Sequence, residues 1–345
     1  MKMHLTRRET LKLLAAGAAG LMMPAVPVFG AMRKSVEYRR LGRTNLQVSV
    51  VGFGSLSIGL ASTEQQRVGQ LLNQALDRGL NIIDTAECYG HPDKNHAEIL
   101  IGNAIGSRRD EYVLSSKVGH ENGHFGQGSD WSSASIHRTI DRSLKRLKTD
   151  HLDIVHLHGC SVEILRAGEV IEALKKARQV GKTRFLAYAG SGERVRYAIE
   201  SNEFDVVQLT LNVFEQNAID DLLPLAQKRD IGVIAKRPIG NAVWRFPERP
   251  EWEWYAEYWD LIKPLDYPFF KGDALADPGP EGAAGMALRF LTSTPGVHTA
   301  IVGTTNPGRW TQNNDNVTAG LLSAEQYGAI RANWRALAGE KRELG

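Results

Sequence analysis

Eight times between Val50 and Val302 a short apolar run, rich in β-branched residues, gives way to a longer stretch with helical spacing. Strands are predicted at Val50–Gly54, Leu80–Ile83, Tyr112–Ser116, Leu152–Leu157, Thr183–Tyr188, Val206–Leu209, Gly232–Ala235 and Thr299–Val302. Helices are predicted near Glu64–Arg78, His96–Ile105, Ser133–Leu147, Glu163–Val180, Arg194–Ser201, Ile219–Lys228 and Ala283–Leu291, with the last helices beyond Val302. Strands this apolar need cover on both faces, and parallel strands alternating with helices supply it. Eight such pairs are the number that closes a (β/α)8 TIM barrel. No break in composition divides residues 35–345, so one barrel domain is expected there. Ahead of it, Glu37–Leu41 and Leu46–Val48 flank Gly42-Arg43-Thr44-Asn45, the pattern of a hairpin plugging the barrel floor.

Parallel α/β folds build their sites at the carboxyl ends of the strands. The second predicted strand ends in Asp84-Thr85-Ala86-Glu87-Cys88-Tyr89-Gly90, the third leads to Lys117, and the fourth to His158. Each residue alone has an ordinary explanation. An Asp caps the next helix, a Tyr or His packs and hydrogen-bonds, and a Lys is solvated. An acid, a phenol, an amine and an imidazole at one end of three successive strands instead define a proton-transfer site. A free phenol, with a pKa near ~10, is a poor acid at neutral pH unless a neighbouring cation eases proton loss. Lys117 can be that cation, Asp84 can hold Lys117, and His158 can place a substrate oxygen beside Tyr89. His156, two residues before His158, shares its inward direction and reads as a barrel-filling residue.

The net charge of +3 divides unevenly. Residues 1–34 hold six Lys/Arg and one acid, while the remainder carries 36 bases against 38 acids. The body therefore has no basic face for nucleic acid. The basic segment, Thr6-Arg7-Arg8-Glu9-Thr10-Leu11-Lys12 followed by an apolar, Ala/Gly-rich run to Phe29 and the small residues Gly30-Ala31, resembles a twin-arginine export signal over residues 1–31. It implies the twin-arginine machinery as a partner and a periplasmic or otherwise exported location, with membrane attachment only if the segment stays uncleaved. Two cysteines, Cys88 and Cys160, are too few for a disulfide scaffold or a four-ligand zinc site, although both fall on loops near the predicted site.

Several stretches, taken in order, are similar to the aldo-keto reductases over nearly the whole of residues 35–345: Tyr38-Arg39-Arg40-Leu41-Gly42-Arg43-Thr44, the 84–90 stretch, Glu98 with Gly102, Ser116-Lys117, Asp153 to His158, Gly181-Lys182-Thr183-Arg184, Gln208 and Gly303 to Asn313. The resemblance implies Asp84, Tyr89, Lys117 and His158 as a catalytic tetrad interconverting a small-molecule carbonyl (aldehyde, ketone or sugar) and its alcohol. It implies NADP(H) as cofactor and leaves NAD(H) open. Gly303, Thr304, Thr305 and Arg309 would hold the adenosine 2′-phosphate, since guanidinium binds phosphate in a fork, and Gln312 and Asn313 would read the adenine. An ordinary helix start, capped by Thr305 or Asn306 with Pro307 in the first helical position, explains the same residues and is compatible with an anion there. Gln208, with Ala189 and Gly190, would stand at the nicotinamide amide, and Lys236, Arg237, Pro238, Ile239 and Gly240 along the diphosphate. Two departures stand out. Ala189-Gly190 replaces a Ser-Asn pair, and Lys236 replaces the aromatic ring over the nicotinamide.

The segment Asn241 to Gly282 carries ten of the chain's aromatic rings and forms a long insertion after strand seven. Trp244 within it, and Trp131 after Lys117, are candidates for the substrate pocket, although helical spacing of Trp252, Tyr255 and Trp259 equally suits an insertion packing onto the barrel. Two other classes of function compete. The departures at Ala189, Gly190 and Lys236 suit a nucleotide-binding sensor or partner subunit with weak or vestigial catalysis. The aromatic insertion alone suits a carbohydrate-binding module, which an intact tetrad disfavours.

Overall fold

The structure, a computed structural model, describes residues 35–61, 63–90, 96–120 and 128–338. The signal-like segment 1–31 lies outside the described residues. Ten strands are formed among them: β1 (Tyr38–Arg40), β2 (Gln47–Ser49), β3 (Val51–Gly54), β4 (Ile82–Asp84), β5 (Val113–Val118), β6 (Leu152–His158), β7 (Thr183–Gly190), β8 (Val206–Thr210), β9 (Gly232–Lys236) and β10 (Thr299–Val302). The last eight close into one parallel barrel in the order β10-β3-β4-β5-β6-β7-β8-β9. The predicted (β/α)8 architecture is therefore the observed one.

Alternation along the strands dictates what fills the barrel. Ile82, Val113, Ile154, Ala187, Val206 and Ile234 form a buried apolar layer near the floor. Two residues further along the same strands stand Asp84, Ser115, His156, Ala189, Gln208 and Lys236, so the interior turns polar as it rises. A third step brings Lys117 and His158 into line. The floor is closed by the predicted hairpin. β1 and β2 pair antiparallel, and Leu41, Leu46 and Val48, all fully buried, join the apolar floor layer. Its turn is a 3-10 turn at Gly42–Thr44 closed by Asn45 in the left-handed region. Gly42 has φ +49° and lies against the backbone of Asp230 to Gly232 so closely that a β-carbon has no room.

The helical boundaries depart from expectation in two places. The predicted Glu163–Val180 helix is two helices, Val162–Ala167 and Glu169–Gln179, because Gly168 takes φ +80° and ends the first. The helix expected from Ile219 begins at Leu222, after a 3-10 turn at Asn217–Ile219. Ser133–Leu147 forms as predicted, burying Ile136, Ile140, Leu144 and Leu147 at helical spacing against the barrel.

The aromatic insertion builds a second apolar cluster around Phe214, Tyr258, Tyr267 and Phe270. Phe270 stacks on Phe214 at 5.2 Å, and the final helix joins through Trp334, whose Nε1 donates to Phe214 O at 3.0 Å. Most of its rings thus secure the insertion to the barrel mouth, while Trp254 and Tyr255 reach the cavity described next.

Candidate active site

Lys117 and Asp84 form the floor of the site. Both are almost wholly buried, and Lys117 Nζ lies 2.5 Å from Asp84 Oδ2 while also donating to Thr85 O at 2.8 Å. The second carboxylate oxygen, Oδ1, accepts from Ser115 Oγ at 3.0 Å and Gln208 Nε2 at 2.9 Å. Burial opposes the ammonium, yet the Asp84 carboxylate beside it holds the Lys117 pKa above its ordinary value. The Asp84 carboxylate thus favours the charged form of Lys117 and is itself held from three sides.

Tyr89, from the turn after β4, faces that cation, with Nζ 4.7 Å from its ring centroid. Burial raises the phenol to about 12 against the lowering influence of Lys117, so Tyr89 holds its proton at neutral pH. His158 sits edge-on to the Tyr89 ring with centroids 6.0 Å apart. Burial and then the Lys117 charge push its pKa well below the ordinary imidazole value, leaving it neutral. Of the pair, Tyr89 has the proton to give and His158 is a neutral hydrogen-bonding group. His156 is fully buried with Nε2 3.0 Å from Ser115 Oγ, and burial lowers its pKa to about 3, in keeping with a barrel-filling role.

Above these groups opens a cavity of about 330 Å³ lined by Tyr89 and His158, with Lys236, Arg237 and Arg245 along one wall and Trp254 and Tyr255 beyond. That size suits a small ligand or one end of a larger one. Ala189, Gln208, Pro238, Ile239 and Gly303 also border it. Gln208, however, donates its amide to Asp84, so it braces the tetrad as well as bordering the cavity. Gly190 is explained by packing, because a β-carbon there would lie 2.6 Å from the Tyr188 ring, whose hydroxyl is anchored on Cys160 O at 2.6 Å. Gly240 likewise has φ +51° and presses on the Phe214 ring, leaving no room for a side chain. Arg237 lies over the Trp254 ring at 4.7 Å. Burial and the neighbouring Arg237 lower the Lys236 pKa to about 8, and Glu215, 7% exposed and bonded by the Tyr258 hydroxyl at 2.7 Å, is the acid that offsets them.

The segment after β10 differs in detail from the expected helix start. The helix is Arg309–Thr318 with Gly308 in the capping position, not one capped by Thr305 or Asn306 with Pro307 first. Asn306 closes its own turn first: its Oδ1 accepts from Gly308 N at 3.1 Å, and Thr304 Oγ1 accepts from Asn306 N at 3.0 Å. Arg309 is exposed and donates to Gln312 Oε1 at 2.5 Å, whereas Asn313 is buried, so Gln312 is the open member of that pair. An unforeseen second cation stands nearby, Arg67, whose Nε donates to Thr305 O at 2.7 Å.

Both tryptophan candidates lie off the cavity wall. Trp244 stacks on Phe270 at 5.2 Å, drawn into the insertion's own cluster. Trp131 packs over Gly119 and meets the His120 ring edge-on at 5.8 Å. His120 was not foreseen: its ring lies 4.9 Å from that of His158 and links it to Trp131. It follows the end of β5, where strand alternation no longer forecasts direction. Arg245, Trp254 and Tyr255 were also missed as wall residues, since nothing in their spacing separates cavity-facing from core-facing rings. Cys88 and Cys160 are buried free thiols, and Cys88 Sγ lies 3.6 Å from His158 Nδ1.

The model of the Aldo/keto reductase family matches residues 50–335. The chain belongs to that family. Among curated relatives it is 28% identical over 304 residues to the uncharacterized oxidoreductase YqkF of Bacillus subtilis, covering 86% of this chain and 95% of that protein. It is 30% identical over 229 residues to an L-galactose dehydrogenase of Arabidopsis thaliana, covering 63% of this chain and 70% of that one. Among solved structures, the holo form of an aldo-keto reductase from Bacillus halodurans superposes with TM-score 0.70 at 24% identity, over 86% of this chain and 96% of that one, a likeness of fold. An aldo/keto reductase from Klebsiella pneumoniae, in complex with NADP and acetate, gives TM-score 0.66 at 25% identity over 87% and 95% of the two chains. The chain is thus an oxidoreductase of the aldo/keto reductase family on its (β/α)8 barrel.

Proposed function

We propose that this protein interconverts a small carbonyl, an aldehyde, ketone or sugar, and its alcohol with NADP(H), and that Tyr89 is the general acid/base. The observation that carries the reading is the Tyr89 phenol ring 4.7 Å from the Nζ of the buried Lys117–Asp84 pair, at the base of a cavity it shares with His158. The donor set fits a dinucleotide: Lys236, Arg237 and Arg245 offer cations to a diphosphate beside the tetrad, and Arg309 with Thr304 and Thr305 suits a terminal phosphate further out. The bound NADP of the Klebsiella relative supports that choice, and the L-galactose dehydrogenase keeps sugars among the substrates. When bound, the dinucleotide supplies the hydride. Tyr89 gives its proton to the carbonyl oxygen, Lys117 steadies the phenolate left behind, Asp84 holds Lys117, and His158 positions the oxygen.

Titration of the purified protein with NADPH and NADH tests the cofactor. NADPH is expected to bind more tightly, and Arg309→Ala to weaken NADPH by about tenfold while leaving NADH nearly unchanged, the loss of one charge-assisted phosphate contact. Equal weakening of both nucleotides would refute the phosphate role of Arg309.

The sensor reading draws on one observation, the commitment of the Gln208 amide to Asp84 where a nicotinamide contact was expected. Tight nucleotide binding without turnover across sugars, ketones and aromatic aldehydes would favour it. We also propose export by the twin-arginine route, motivated by Arg7-Arg8 and the apolar run that follows. Among the described residues no helix is long and apolar enough to cross a membrane. Retention of the full-length chain in the cytosolic fraction of its own cells would exclude export.

A further inference from the structure

Cys88 directly precedes Tyr89 on the turn after β4 and is 1% exposed. Its Sγ, 3.6 Å from His158 Nδ1, is within hydrogen-bonding range for sulfur. Which atom donates follows from the chemistry of the two groups. A thiol sulfur is a weak acceptor, whereas the bare nitrogen of a neutral imidazole is a good one. Burial, reinforced by the Glu87 charge, raises the thiol to about 12, so it keeps its hydrogen. Burial and the Lys117 charge keep His158 from taking a second proton. Both shifts favour a neutral thiol beside a neutral ring over a thiolate–imidazolium pair.

We propose that Cys88 is a positioning residue whose S–H donates to His158 Nδ1 and so fixes the imidazole tautomer with its hydrogen on Nε2. Among the described residues no hydrogen bond reaches His158 Nε2, and His158 lines the cavity, so Nε2–H is the group left to meet a ligand oxygen. In the other tautomer Nε2 would present a lone pair to the lone pairs of a carbonyl oxygen and repel it. His120 does not substitute for Cys88. Its ring meets that of His158 edge-on at 4.9 Å, and its Nδ1 is engaged with Ser129 Oγ at 3.0 Å. The catalytic consequence rests on the carbonyl-reductase reading above, but the tautomer assignment does not.

The test is nitrogen-15 NMR of protein labelled at histidine, with His158→Asn to assign its signals, alongside Cys88→Ser and Cys88→Ala kinetics. In the native protein and in Cys88→Ser, His158 should show an unprotonated, pyridine-type Nδ1 and a protonated Nε2, because a serine hydroxyl replaces the donor. In Cys88→Ala the two tautomers should mix. Its kcat should fall by about tenfold, the effect of losing one hydrogen bond, with the dinucleotide Kd unchanged and Cys88→Ser recovering most of the rate. A protonated Nδ1 in the native protein, an unchanged tautomer in Cys88→Ala, or a Cys88→Ser enzyme as slow as Cys88→Ala would each overturn the proposal. If the native protein reduces no carbonyl at all, the functional reading fails, while the spectrum still decides the tautomer.

Discussion

Tyr89→Phe is expected to lower carbonyl turnover by about 10²–10⁴-fold, the range associated with loss of a positioned general acid. The substitution removes one oxygen and keeps the ring that faces Lys117, and the Asp84 and Thr85 contacts that hold the cation remain. NADPH affinity, followed by fluorescence titration, should change by less than about threefold, because the lost interaction is made with the reacting oxygen. A phenol raised to about 12 keeps its proton at neutral pH but is a weaker acid than a free one, so its transfer to the carbonyl oxygen depends on Lys117 stabilising the phenolate as it forms. A Tyr89→Phe enzyme that kept most of its rate would show that the proton comes from elsewhere.

Lys117→Ala should damage both catalysis and stability. Removing the ammonium strands the Asp84 carboxylate in an interior where it is 1% exposed, with only Ser115 and Gln208 left as donors. Breaking a buried pair from one side costs about 3–5 kcal/mol, far beyond a surface substitution. Urea denaturation should read this as a lower midpoint with an unchanged slope. Lys117→Ala combined with Asp84→Asn should recover part of the stability and none of the activity, since it neutralises the stranded charge without restoring the cation beneath Tyr89. A double variant no more stable than the single one would mean that the pair is not the source of the loss.

The barrel was legible because its strands are short apolar runs and its helices keep a 3.6-residue period, while side chains along each strand alternate with a period of two. The same period that buries Ile82, Val113 and Ile154 at the floor carries Asp84, Ser115 and His156 inward above them. Once the strands were drawn, so was the shared end at which Asp84, Tyr89, Lys117 and His158 meet. Loops have no such period. His120 lies past the end of β5, where its ring meets that of His158, and Trp131, further along the chain, packs over Gly119. The aromatic insertion failed as a guide for a related reason. A ring that packs on the barrel and a ring that borders the cavity look alike in sequence, so Trp244 was chosen where Trp254 and Tyr255 reach the wall. Glycine was ambiguous in the same way: the resemblance places Gly190 and Gly240 along the dinucleotide, and the neighbours that exclude a side chain there are Tyr188 and Phe214. Gln208 shows a third limit. It borders the cavity, but the partner of its amide, Asp84, comes from a strand on the other side of the barrel.

The most direct test of the account follows the hydride itself. NADPH carrying deuterium at the transferable position of nicotinamide C4 is mixed with the protein and a panel of sugars, ketones and aromatic aldehydes, and the alcohols are analysed by mass spectrometry. The account predicts deuterium on the former carbonyl carbon with the native protein and almost none with Tyr89→Phe at equal nucleotide occupancy. Saturated nucleotide with no labelled alcohol from any carbonyl, or labelling that survives the loss of the Tyr89 hydroxyl, would contradict it.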